Sequence, residues 1–332
     1  MKQIPIPYPN AWYHALYSDE LAAGQVRSIR YLARDLVIFR EAGGEAHVLD
    51  AHCPHLGAHL GHGGVVDGAI LRCPFHAWEW GGDGRCTRVP YSKRIPAGAR
   101  TRSYPTIERN GQIYFWFHVD EAAPFFEPPT IPEWGAPGWT SEWRRAEWKI
   151  RSHPQEILEN GVDWHHFGPV HLMDPPTDVD FTLDGPYSEW IVGASRSLPH
   201  VDGDQDLFSS ATMNDDFAIH SRNFGLGLMV MHFNGARKTL FQVAYTPIEG
   251  DIVQYRQMII GRPEDVEAGG VDPVLDAFMG DLIKSAEQDF HIFEHKQFRA
   301  KPLLCAEDGP IAEFRRWAAQ FYTEASATLA AG

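Results

Sequence analysis

The stretch "CPHLGAHLGHGGVVDGAILRCPFH", residues 53–76, holds two of the chain's four cysteines. Each stands in a Cys-Pro pair and each is followed by a histidine: Cys53-Pro-His55 and, after a gap of 17 residues, Cys73-Pro-Phe-His76. Thiolate and neutral imidazole are the soft and borderline ligands that iron and zinc select, so two such loops can enclose a four-ligand site. With four cysteines and 17 histidines among 332 residues, Cys-x-His and Cys-x-x-His are each expected by chance about 0.2 times. A structural zinc site in a binding or scaffold protein satisfies the residue types. Zinc sites, however, usually begin with two cysteines two to four apart, whereas each loop here supplies one sulfur and one nitrogen. That alternation suits a two-iron cluster with one iron on cysteines and the other on histidines. Cys86 and Cys305 have no histidine at ligand spacing and read as small buried residues.

Outward from this stretch, the first third of the chain reads as short strands and tight turns. "RDLVIFREAGGEAHVLD" turns at Gly43-Gly44, "WEWGGDGRCTRVP" at Asp83-Gly84 and "ERNGQIYFWFHV" at Asn110-Gly111, a pattern that predicts a small antiparallel β domain over 1–120. Five prolines between Asp120 and Thr140 predict an extended linker over 121–140. The remainder, 141–332, opens on a strand-like "SEWRRAEWKIRS". It closes on two helices, one capped at Asp272-Pro273 and one started by Asp308-Gly309-Pro310. The apolar run "NFGLGLMVMHF" reads first as a core strand and second as a pocket wall presenting Met229, Met231 and Phe233 on one face. The fold class expected is α+β.

A second constellation lies in "ENGVDWHHFGPVH", where Glu159, Asn160 and Asp163 precede His166 and His171. Two histidines and a carboxylate form the facial triad that binds ferrous iron and leaves positions open for dioxygen and substrate. An isolated His-x4-His carries little information; its setting gives it weight.

Taken with its spacing, the first constellation resembles the Rieske [2Fe-2S] motif. The pattern Glu-Asn-x-x-Asp-x-x-His-x4-His downstream of it is similar to that of the catalytic subunits of Rieske non-heme iron oxygenases. "WEWGGDGRCTRVPYSKRIPAGARTRSYP" and "KPLLCAEDGPIAEFRRWAAQFY" resemble the branch containing 3-ketosteroid 9α-hydroxylase oxygenases and cholesterol 7-desaturases. The resemblance implies an N-terminal antiparallel β Rieske domain whose cluster is held by Cys53, His55, Cys73 and His76. It also implies a C-terminal helix-grip domain of antiparallel sheet and long helices, with mononuclear Fe(II) on His166, His171 and a late carboxylate. Asp289 in "EQDFHIFEHK" falls on the matching position, with Glu287, Asp281 and Glu294 as alternatives on the same helix. Asp163 is implied as the bridge to a cluster histidine of a neighbouring subunit in a homotrimer, and Asn160 as a residue close to the iron. The chain departs from the branch at His165, directly before His166, which leaves a one-residue ambiguity in the ligand and a supporting role for His165 open.

The activity implied is oxygenation of an unactivated C–H bond in a sterol-like or other flat, apolar molecule, using O2. Hydroxylation, desaturation and oxidative demethylation all remain open. No flavin or nicotinamide fingerprint is present, since "GLGLMV" lacks the glycine spacing. Electrons are therefore expected from a separate ferredoxin or flavin reductase, which alone would meet NAD(P)H. A pure electron-carrier reading, a Rieske ferredoxin with an unrelated extension, needs only the first third of the chain and leaves the second constellation idle. The formal net charge of -15 argues against nucleic acid or an anionic membrane surface as partner. The start "MKQIPIPYPN" lacks a leader's apolar core, and no run approaches the ~18 apolar residues of a membrane span. A cytoplasmic location is expected, where four cysteines serve metals better than bridges.

Overall fold

The computed structural model describes residues 7–172, 176, 179–192, 218–234, 238–262 and 272–323. Met1 to Ile6, part of the stretch behind the leader reading, lie outside the described residues. The chain divides into two compact units: 11–128 with 246–250, and the described residues of 1–10, 129–245 and 251–332. The segment 121–140 contains neither helix nor strand.

The first unit is built of three antiparallel sheets. In one, Gln112–Phe117 lies between Ala11–Tyr17 and Thr106–Arg109 and is buried at every position, which is why QIYFWF is apolar without alternation. Its hairpin turns through Asn110 (φ 54°) and Gly111 (φ 71°), the consecutive left-handed pair that a two-residue turn demands. A second sheet orders Val26–Tyr31, Arg34–Arg40, Ala46–Asp50 and Ser103–Tyr104. The third, of Val65–Asp67, Ile70–Arg72, Glu79–Gly81 and Cys86–Arg88, carries Cys73 and His76 in the connection between its second and third strands.

Among the described residues the second unit is built on one seven-stranded sheet in the order Arg144–Arg151, Ile252–Gly261, Thr239–Glu249 (its last residues counted with the first unit), Leu228–Asn234, Ala218–Phe224, Tyr187–Val192, Val179–Asp184. Four α-helices accompany it among the described residues: α1 (Pro154–Glu159), α2 (Phe167–His171), α3 (Pro273–His295) and α4 (Ile311–Ala318). The Asp272 carboxylate accepts from the Leu275 amide at 3.0 Å with Pro273 in the first turn, so α3 begins at the cap its sequence announces. At 23 residues α3 is the long helix among those described. It packs on Arg144–Arg151 and Ile252–Gly261, with Phe290 in edge contact with Trp148 and Tyr255 at 5.4 and 4.9 Å. Each buried Phe of this stripe contributes roughly 2 kcal/mol of hydrophobic stabilisation. No helix among the described residues is long and apolar enough to cross a membrane.

Candidate metal centres

The two Cys/His loops are copies of one backbone design. The Cys53 amide donates to the Ala58 carbonyl and the Cys53 carbonyl accepts from the Gly57 amide, each at 2.9 Å. The Cys73 amide donates to Trp78 at 2.8 Å and its carbonyl accepts from Ala77 at 3.1 Å, the same offsets of five and four residues. Gly57 and Ala77 occupy the same place in their loops and both have positive φ, 77° and 55°. Ala77 therefore adopts the left-handed conformation without a glycine's freedom.

The loops bring the four residues together. Cys53 and Cys73 are buried and free of disulfides, and the His55 and His76 rings meet edge to face at 4.6 Å. Burial, reinforced by the neighbouring Cys73, pushes the Cys53 thiol up to about 11. A thiol so raised becomes a thiolate only beside a cationic centre. The buried Nδ1 of His76 has no hydrogen-bond partner among the described residues, as a nitrogen reserved for a metal would not. Thiols, imidazoles and orphaned nitrogen fit an iron–sulfur cluster. Trp78 stacks on His55 at 4.6 Å with the planes 11° apart. Cys86 is buried, as its sequence suggested, but Cys305 is exposed. The reason is local: Asp308 Oδ2 accepts from the Cys305 amide at 2.8 Å and forms a surface turn there.

In the second unit, His166, His171 and Asp289 present ligand atoms that all lie within 4.8 Å of one another. His166 ends a 3-10 turn, His171 ends α2, and Asp289 lies on α3. The ring tautomers follow from their partners. His166 Nδ1–H donates to the Asp163 carbonyl, and His171 Nδ1–H donates to Gln288 Oε1 at 2.9 Å. Both Nε2 lone pairs thus face the Asp289 carboxylate, His171 Nε2 standing 3.2 Å and His166 Nε2 3.8 Å from Oδ1. Two lone pairs converging on an anion fit a divalent cation between them.

Burial holds His166 below the ordinary imidazole range despite Asp289. At His171 burial acts the same way, but the hydrogen bond and charge of Asp289, with Gln288, outweigh it and raise the ring. Asn160 Nδ2 donates to Asp289 Oδ2 at 3.1 Å and lies 3.2 Å from His166 Nε2, so it orients the carboxylate beside the site. The carboxylate of Asp163 has no hydrogen bond or ion pair among the described residues; only its backbone carbonyl is engaged, by His166.

The alternatives fall away on geometry. Glu287 is exposed, Asp281 pairs with Lys284, and Glu294 accepts from the Arg151 amide. His165 is exposed and donates from Nε2 to the Glu307 carbonyl at 2.9 Å, away from the three converging ligand atoms.

A cavity opens beside these atoms. Its walls include Met229, Met231, Phe233, Leu282, Phe290 and Phe293, so the pocket-wall reading of "NFGLGLMVMHF" describes the strand better than the plain core reading. Tyr245 and Tyr255 also line it, and burial raises both phenols well above their usual range, which keeps them neutral.

Three supports were missed in the sequence. Gln288 orients His171 from the residue before Asp289. Arg315 on α4 binds Glu159 of α1 through two hydrogen bonds of 2.7 Å in a buried pair. Gly309 passes so close to the 160–162 turn that a Cβ there would stand 2.1 Å from the Val162 carbonyl. A signal for Asp289 was available: at 100° per residue it falls about 20° from Leu282 in the buried stripe, whereas Asp281, Glu287 and Glu294 fall about 100° or more away.

Residues 11–105 match the family described as the Rieske [2Fe-2S] domain, and residues 115–322 the family described as the 3-ketosteroid 9alpha-hydroxylase C-terminal domain. A cholesterol 7-desaturase of Ciona intestinalis is 33% identical, over 98% of this chain and 71% of that protein. A probable 3-ketosteroid-9-alpha-monooxygenase oxygenase component of Rhodococcus rhodochrous is also 33% identical, over 96% and 81%. Among solved structures, dicamba monooxygenase bound to dicamba superposes with a TM-score of 0.68 at 19% identity, covering 94% of this chain and 96% of that one, a likeness of fold.

Proposed function

The chain belongs to the Rieske oxygenases whose catalytic part is the 3-ketosteroid 9alpha-hydroxylase C-terminal domain, and from that premise we propose that it hydroxylates an unactivated C–H bond of a sterol-like, polycyclic substrate. The observation that carries the proposal is the His166, His171 and Asp289 cluster set in the wall of a mainly apolar cavity. Cys53, His55, Cys73 and His76 would hold a [2Fe-2S] cluster, and His166, His171 and Asp289 a ferrous ion. Bound there, these groups would supply the electrons and the oxidising power for C–H oxidation by dioxygen.

The chain's own residues do the rest. Gln288 and the Asp163 carbonyl fix the imidazole tautomers, so both Nε2 atoms keep their lone pairs for the metal. Asn160 holds one carboxylate oxygen of Asp289 and leaves the other toward the histidines. The apolar walls, on the β side Met229, Met231 and Phe233, exclude water and accept a flat hydrocarbon body. The free Asp163 carboxylate is the acceptor for a ring N–H of His76 in the next subunit of a homotrimer, and electrons arrive from a separate reductase fed by NAD(P)H. Four cysteines without a disulfide, two of them proposed cluster ligands, suit a reducing cytoplasm.

A second reading, desaturation, is favoured by one observation: the desaturase and the monooxygenase relatives are equally identical to this chain. The test is anaerobic purification with iron and sulfide counts, then turnover of a steroid panel with a surrogate reductase and mass analysis. Three irons and two sulfides per chain are expected, two irons from the cluster and one from the triad. A product heavier by one oxygen supports hydroxylation, and loss of two hydrogens supports desaturation. Zinc without sulfide overturns both.

A further inference from the structure

Three polar side chains stand in the cavity wall on two neighbouring strands, Tyr245 on Thr239–Glu249 and Tyr255 with Gln257 on Ile252–Gly261. Tyr255 and Gln257 are two residues apart, so the strand presents them on one face. All three are buried, Gln257 at 2% exposure. In a mainly apolar wall a buried polar atom without a partner is costly, so the bonds these groups make, and those they lack, decide what the wall can bind.

Gln257 Nε2 donates to the Leu282 carbonyl at 3.3 Å and to the Tyr255 hydroxyl oxygen at 3.4 Å. The Leu282 carbonyl only accepts, which fixes the amide with its nitrogen toward α3 and settles which end is Oε1. That Oε1 is buried and has no hydrogen-bond partner among the described residues. The Tyr255 oxygen accepts from Gln257, while its own proton meets no acceptor among the described residues. The ring is held in place, edge on to Phe290 at 4.9 Å and 5.4 Å from Tyr245. Burial and the Asp289 charge keep the phenol protonated, hence a donor. Tyr245 differs, since its hydroxyl donates to Met229 Sδ at 3.9 Å. The wall is left with one unmatched acceptor and one unmatched donor, on side chains already joined by a hydrogen bond.

We propose that Gln257 and Tyr255 select the substrate by an alcohol, whose hydroxyl donates to Gln257 Oε1 and accepts from the Tyr255 O–H. The inference rests on the reading of this cavity as the site of a polycyclic substrate, and it narrows that class to alcohols. A ketone in the same place accepts from Tyr255 but brings no proton to Gln257 Oε1, so one hydrogen bond tells the two oxidation levels apart. A molecule anchored by its oxygen on the strand presents a fixed part of its skeleton to His166, His171 and Asp289. The same pair therefore sets the position of attack as well as the choice of substrate.

The experiment is anaerobic equilibrium dialysis of the metal-loaded full chain, without reductant so that nothing turns over, against androstanediol, dihydrotestosterone, epiandrosterone and androstanedione. These probes carry an alcohol or a ketone at either end of one skeleton. At one end the alcohol should bind about tenfold or more tighter than the ketone, with the rest of the molecule unchanged. Gln257→Met removes the acceptor and should bring that ratio to about one, chiefly by weakening the alcohol. Tyr255→Phe removes the donor that both oxidation levels use, so both should weaken while the ratio survives. Circular dichroism and iron content check the variants, and the wild-type ratio decides the matter alone where a variant does not fold. Equal affinities for alcohol and ketone at both ends overturn the inference while leaving the polycyclic reading intact. A Gln257→Met protein that keeps the preference overturns it too, and failure of all four probes to bind overturns the polycyclic reading together with this inference.

Discussion

The two Cys/His loops and the His166, His171 and Asp289 cluster use the same kinds of side chain on opposite plans. The loops are contained within residues 53–78 and repeat one hydrogen-bonding pattern, so each builds its own geometry from its own backbone. The second cluster draws ligand atoms from the 3-10 turn, α2 and α3, and depends on Gln288, Asn160, Glu159, Arg315 and Gly309 to hold them. A local site announces itself in sequence and tolerates distant change. A dispersed site does neither.

The contrast is tested most severely by Asp289→Ala. Removing a ligand from the dispersed site should lower iron from three to two per chain and turnover by ~10³-fold or more, while the reduced-cluster resonance stays unchanged. Loss of the cluster signal as well would mean that the two regions are not independent. Arg315→Met leaves Glu159 buried without its partner and should cost about 3–5 kcal/mol in the unfolding of the second unit, read by urea titration. An unchanged midpoint would show that α4 is not the support its two 2.7 Å bonds imply.

Asp163→Asn probes the proposed bridge rather than either metal centre. Both metal contents should persist, while electron-coupled turnover falls about 10- to 100-fold. Full activity there would remove the bridge.

The smallest effect expected is an acid one. His153, at the cap of α1, donates from Nε2 to the Pro7 carbonyl and accepts the Gln155 amide at Nδ1, and burial holds its pKa down at about 4. The unfolded chain therefore takes up the proton first, near 6.5, and stability falls as pH drops from there toward 4. Between pH 7.5 and 5.5 the loss should be about 1 kcal/mol, confined to the second unit and flattened in His153→Gln. Equal acid sensitivity of the cluster absorption would erase that difference between the units.

Legibility followed the same division. Cys53, His55, Cys73 and His76 could be read because chemistry and spacing coincide in one stretch, and the strand turns at Gly44, Gly84 and Asn110-Gly111 because left-handed backbone is chemically specific. His166 and His171 were visible as a pair, but Asp289 was reached only through the resemblance, with three rivals on its helix, since 118 residues separate it from His171. Arg315 and Glu159 were unreadable for the same reason: an ion pair across 156 residues leaves no periodic trace. Cys305 was misplaced because its exposure is set by the turn at Asp308, not by the hydrophobicity of a thiol.

The support from Gly309 and Arg315 also sets an order of events during synthesis. A ribosome that has reached His295 has already made every candidate ligand of the dispersed site, yet not the segment that presses on Val162 and grips Glu159. The pocket is therefore braced only by a segment made after all of its candidate ligands. A premature stop after His295 would yield a polypeptide with its ligands complete and its cavity unbraced, a substrate for cellular proteases instead of an enzyme.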